Sequence, residues 1–216
     1  MPLFYKRVPV VVRLELRRFL SLILMALILL LSHHGGALAT DVRNPLTPAD
    51  TSSPRATLSG FIDAVNNGHA QLKEILKSYL GSSRLYLSAE ERKEVDRLFE
   101  NVALARRTLN LSELPAALML TESFSRIRIL QLKEVLDRLE LPALESIPDA
   151  TAMESRKFKR WTLPGTEIII ARVEQGPRAG EYLFSPETVE RLPEFYHRIK
   201  HIPYQPGATA GWYERY

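Results

Sequence analysis

The run WTLPGTEIIIARVEQGPRAGEYLFSPET, residues 161–188, decides the fold class. Within it Trp161-Thr162-Leu163, Glu167 to Val173 and Glu181 to Phe184 read as strands, the second rich in β-branched isoleucine. Gly176-Pro177-Arg178-Ala179-Gly180 separates the last two and predicts a hairpin loop. Ser185-Pro186-Glu187 then supplies an N-cap, a first-turn proline and a carboxylate near a helix N-terminus, which predicts a helix through about Lys200.

Upstream, the period is helical. Ser53-Pro54 opens a helix to about Leu80, in which Leu58, Phe61, Ile62, Val65, Leu72, Ile75, Leu76 and Tyr79 fall on one stripe. Asn66-Asn67-Gly68 are weak helix formers and predict a kink or break there. Gly81-Ser82-Ser83 is a stop, and Ser88 with Glu91 has the spacing of a capping box opening a second helix. Its expected inward residues are Val95, Leu98, Phe99, Val102 and Leu109. A third helix is expected from about Glu122 to Leu139, with Phe124, Ile127, Leu132, Val135, Leu136 and Leu139 turned inward. Pro142 ends it, and residues 142–160 read as a Pro-punctuated linker.

The expected fold is therefore α+β, mainly α: three amphipathic helices, a small β-hairpin region and a C-terminal helix. The expected division is a helical domain at 54–141, the linker, the hairpin plus helix at 161–201, and a tail at 202–216 rich in Pro, Gly and aromatic residues.

The front end has another character. Basic residues ending at Arg17-Arg18 precede an apolar stretch from Phe19 to Leu31, and small residues follow, ending in Ala37-Leu38-Ala39. These are the three parts of a secretory signal peptide over residues 1–39, with cleavage expected before Thr40. The apolar stretch is 13 residues long, short of the ~18 or more that a spanning helix needs. The rival expectation is an uncleaved membrane anchor. Residues 40–53, rich in Pro, Thr, Ser and Asp, read as a flexible lead-in.

A net charge of +4 and a pI of 9.4 would ordinarily suggest an anionic partner. Of the 29 Lys/Arg and 25 Asp/Glu, however, five and one lie in residues 1–39, so the remainder carries 24 of each sign. The mature chain is formally neutral, and nucleic acid is not an expected partner. Export makes disulfides available, yet there is no cysteine, so the core must hold by packing alone.

Motifs for chemistry are few. Gly176 and Gly180 precede no Gly-Lys-Ser/Thr and lead into a strand, so they read as a turn and not a phosphate loop. His197 and His201 are one helical turn apart and form a weak candidate metal pair, with Glu194 the nearest added ligand. The chain presents no Gly-x-Ser-x-Gly elbow, and no enzyme activity, cofactor or catalytic residue is expected. Arg156-Lys157-Phe158-Lys159-Arg160-Trp161 has the composition of a contact with phosphates or lipid headgroups, or of a solvated loop. Trp212, Tyr213 and Tyr216 suit an aromatic set at a membrane surface, or a tail packed on the domain.

Several segments taken together carry a family resemblance. They are Asp50 to Leu58, Phe61 to Asn66, Leu132 to Arg138, and above all Pro164 to Ile168, Gly176 to Thr188 and Leu192 to Tyr196, with Gly211 to Tyr213 beyond. From about Asp50 to Tyr213 the chain resembles the periplasmic N-terminal region ahead of the membrane helices in some bacterial small-conductance mechanosensitive (MscS-like) channels. The resemblance implies a non-catalytic periplasmic ectodomain without a pore of its own, associated with the inner membrane where a channel follows. Its implied partners are neighbouring copies, a channel membrane domain or the membrane surface. The alternative is a free periplasmic protein for a small ligand or a metal, for which His197 and His201 are the hint.

Overall fold

The structure is a computed structural model that describes residues 49–113, 122–209, 211 and 213. The expected signal peptide and residues 40–48 of the lead-in lie outside the described residues, while the end of the lead-in is packed on the domain, with Thr51 and Ser53 buried. The element order is α1 (Pro54–Leu80), α2 (Ala89–Arg107), α3 (Glu122–Leu136), a 3-10 turn (Leu144–Ser146), α4 (Ala150–Ser155), β1 (Arg160–Thr162), β2 (Ile169–Arg172), β3 (Tyr182–Phe184) and α5 (Pro186–Ile199). The fold is α+β and mainly α. Among the described residues no helix is long and apolar enough to cross a membrane.

The caps read from the sequence are in place. The Ser53 hydroxyl accepts from the Ala56 N–H at 3.2 Å, with Pro54 in the first turn of α1. At α2 the Ser88 hydroxyl accepts from the Glu91 N–H at 3.1 Å, while the Glu91 carboxylate accepts from the Ser88 N–H at 2.7 Å. At α5 the Ser185 hydroxyl accepts from the Thr188 N–H at 3.3 Å. The expected break at Asn66-Asn67-Gly68 does not occur. Gly68 is buried within a continuous α1, and the Thr209 hydroxyl bonds Asn66 Oδ1 at 2.8 Å, so tertiary packing outweighs a propensity cost of about 1 kcal/mol per residue.

The strands form one antiparallel sheet in the order β1-β2-β3, with Trp161 opposite Ile170 and Ile170 opposite Phe184. The expected hairpin joins β2 to β3, and Gly180 closes it with φ of 95° and an N–H bond to the Val173 carbonyl at 2.8 Å. The exposed edge of β3 is covered from two sides. Tyr182 N–H donates to the Thr51 carbonyl at 2.7 Å, and Phe184 exchanges bonds of 2.9 Å with Thr108 and Asn110 just after α2.

Four further expectations need correction. Residues 142–160 are not a linker: Ile147 and Met153 are fully buried in the same core as α1, α3 and α5, and Arg55 on α1 donates to the Ile147 and Glu145 carbonyls at 2.9 Å each. A Pro-rich stretch reads as a linker because its buried contacts are nonlocal. Phe99 and Ile127, expected inward, are 42% and 40% exposed. Leu109 is buried, but beyond the end of α2, where it meets Phe184. The third helix closes at Leu136, and tighter bonds from the Arg138 and Leu139 N–H groups to Val135 and Leu136 finish the turn.

The core is centred on Phe61 and Phe184, whose rings meet edge to face at 5.5 Å. Around them lie Leu132 and Leu136 of α3, Ile170 of β2, and Val189 and Leu192 of α5. Thr57 is buried in α1 and donates to the Tyr182 carbonyl at 2.5 Å, which ties the helix to the sheet.

Candidate functional site

The last described segment, 202–209 with 211 and 213, runs as a strap over α3, and the residues that hold it are charged and buried. Every side chain from Gln131 to Leu136 is buried, and Arg138 is also buried. The centre of the arrangement is the Glu134 carboxylate, 1% exposed. One oxygen accepts from Arg138 at 2.5 Å and from the Tyr204 hydroxyl at 2.7 Å; the other accepts from the Tyr213 N–H at 3.1 Å. Arg138 also donates to the Ile202 carbonyl at 3.1 Å and lies 3.8 Å from the Tyr204 ring centroid. Tyr204 Oη in turn accepts from the Gly211 N–H at 2.9 Å.

A second pair, Lys133 and Asp137, lies beside the first and is joined by a hydrogen bond. Burial pushes the Asp137 carboxyl above its ordinary range against the pull of Lys133, and its Oδ2 is buried with no hydrogen-bond partner. Burial opposes the Arg138 charge as well, but Glu134 and Tyr204 together outweigh it, so its pKa is raised. Burial and the bond to Glu134 raise the Tyr204 phenol. These are the settings of structural bonds, with each charge committed to a partner in the fold.

A different charged centre braces the loop between α1 and α2. Glu91, buried at the start of α2, accepts from the Ser78 hydroxyl at 2.6 Å, from Arg84 at 2.7 Å and from the Ser88 N–H. The Ser78 bond, then the Ser88 bond, lower its pKa from 4.5 to about 2, with Arg84 adding to the shift. A carboxyl held below its unfolded value stabilises the fold fully above about pH 4.5, and that contribution is lost as pH falls through 4.5 towards 2. Urea midpoints of the wild type and Glu91→Gln are therefore expected to differ at pH 7 and to converge across that window.

The sequence-derived candidates fare unevenly. His197 sits in the last turn of α5, but the helix ends at Ile199, so His201 lies past it and the one-turn spacing no longer puts both imidazoles on one helical face. Both are exposed, and Glu194 is engaged by Arg191 and Arg198. Among the described residues no group of three or more His, Cys, Asp or Glu could hold a metal. In the basic segment, Lys159 pairs with Glu174 at 3.1 Å, Arg160 with Glu187 at 3.5 Å, and Phe158 is 48% exposed. Tyr213 packs edge to face on Tyr196 at 4.8 Å, as a tail on the domain, while Trp212 and Tyr216 lie outside the described residues.

Two open clefts lie among the described residues. One of about 380 Å³ lies where α1 and α4 begin and is lined by Asp50, Ser52, Arg55, Asp149 and Thr151. The other, about 390 Å³, is lined by Thr51, Arg107, Arg178 and Glu181. In the second, Glu181 takes the Arg178 guanidinium at 2.5 Å and the Thr51 hydroxyl at 2.8 Å, so its carboxylate is engaged within the fold.

Sequence reasoning allowed a tail packed on the domain and placed Glu91 in a capping box, but it missed the buried charges under the strap and the bonds of Ser78 and Arg84 to Glu91. Lys133/Asp137 and Glu134/Arg138 have the i,i+4 spacing of solvated surface pairs, and only the returning tail turns that face into an interior. Compared with known protein families, with curated proteins and with solved structures, the chain matches none.

Proposed function

We propose that this protein is a non-catalytic, exported envelope module of the kind that precedes the membrane helices of MscS-like channels, acting by packing and not by chemistry. The observation that supports this reading is the use made of the buried charges. Glu134 and Arg138 are groups a catalytic centre would draw on, and they are spent on holding Ile202, Tyr204 and Tyr213 against α3, while Lys133 and Asp137 are paired with each other. An internal ionic latch of this sort resists displacement of the strap, which suits an element that carries load between the domain and a membrane.

The test is cell fractionation followed by intact mass measurement of the native protein. The expected result is a species in the periplasm or inner membrane whose first residue is Thr40. A cytoplasmic species that retains the first 39 residues overturns the reading.

A further inference from the structure

Resting on that envelope location, we propose that the tip of the α1–α2 hairpin, carrying Leu80, Leu85 and Tyr86, is a membrane-docking element that enters the interfacial zone of a lipid bilayer. The three side chains are 60%, 92% and 71% exposed; Leu80 ends α1, and Leu85 and Tyr86 lie in the loop that follows. Flexible loops normally fold such residues back onto the protein. Here they are held out, because Glu91 fixes Ser78 on one side of the loop, Ser88 on the other and Arg84 next to Leu85. The exposure is built into the loop.

The tip also stands away from the main core. α1 has 27 residues and is about 40 Å long. In its distal part the contacts run to α2: Gln71 accepts from Asn101 at 2.8 Å, and Ile75 and Val95 are buried outside the main cluster. A helix-hairpin end that lies outside the main cluster suits a fluid surface better than a groove.

The area argues against a second protein. Even at the ~250 Å² that a large aromatic side chain buries when fully covered, three side chains exposed by 60%, 92% and 71% offer at most roughly 560 Å². That falls short of the ~800 Å² that each partner contributes to a stable interface. It is enough for reversible interfacial attachment, in which leucines enter the acyl boundary and tyrosine places its ring there and its hydroxyl in water. The flanks add charge complementarity to anionic headgroups: Lys73, Lys77, Arg92 and Lys93 are exposed, against exposed Glu74 and Glu90.

The chain has no cysteine, so a single reporter can be placed on the full protein. Leu85→Cys is labelled with an environment-sensitive fluorophore and mixed with vesicles of phosphatidylethanolamine and phosphatidylglycerol; Gln175→Cys, on the exposed β2–β3 loop, is the reference. The expected result is a several-fold rise and blue shift of emission at position 85, little change at 175, and loss of most of the rise when Leu80 and Tyr86 are also replaced by Ser. Any binding through the N-terminal apolar stretch leaves the signal at 85 unchanged. An unchanged signal at 85 on vesicles that carry the protein down in sedimentation overturns the docking element while leaving the envelope location intact. A rise without vesicles that grows with protein concentration makes a second copy the occupant, and overturns it as well.

Discussion

Replacing Glu134 by Ala is expected to cost about 3–5 kcal/mol, the usual penalty for leaving a buried charge without its partner. The loss falls on three groups together, since Arg138, the Tyr204 hydroxyl and the Tyr213 N–H all donate to this carboxylate. For a domain of this size each kcal/mol moves Tm by roughly 2–4 °C, so a fall on the order of 10 °C is expected in a thermal melt. Burial decides which variant is informative. Glu134 and Arg138 side chains are each 2% exposed, so their mutual attraction is offset by the desolvation of both. The double variant Glu134→Leu, Arg138→Met removes both charges and is expected to recover most of the loss of Glu134→Ala. If the single variant is as stable as the wild type, the latch is not a structural element. Limited proteolysis separates global from local loss, because a released strap exposes cleavage at Tyr204 before the core opens.

Phe184→Ala is expected to be comparably severe by a different mechanism. Phe184 is fully buried at the end of β3, and truncation of such a side chain costs about 3–5 kcal/mol through lost transfer energy and the cavity left behind. Its edge-to-face contact with Phe61 adds about 0.5–1.5 kcal/mol beyond area burial, so Phe61→Ala and Phe184→Ala are expected to be less than additive in a double-mutant cycle. Phe184 also carries the backbone bonds that join β3 to Thr108 and Asn110. A shift in the urea midpoint without a change in slope marks a loss of stability with the fold retained. A change below 1 kcal/mol would show that the two rings are not the centre of the core.

The two residue sets differ in how visible they were. Phe61 falls on the apolar stripe of α1 and Phe184 ends a strand-like run, so local periodicity finds both. Glu134 and Arg138 carry no such signal, because a charged pair one turn apart reads as a solvated helix face until something covers it. Ile147 and Met153 were hidden by their neighbours: the prolines at 142 and 148 make the segment look like a connector. The His197/His201 pair failed in the opposite sense. Its spacing implies a shared face only while the helix continues, and α5 stops two residues too early.

By itself the sequence determined the elements whose causes are local. The Ser-Pro and Ser-x-x-Glu caps, the glycine-closed hairpin between β2 and β3, and the helical and strand periods each depend on residues within a few positions of one another. The tertiary structure alone decided which polar residues are interior. Burial of Gln131 to Glu134 and Arg138 depends on a strap some 70 residues away, and the bracing of the exposed Leu85 tip depends on a glutamate that α2 places beneath it. Local pattern fixes where a side chain points, but only the nonlocal return of the chain fixes whether water or protein meets it there.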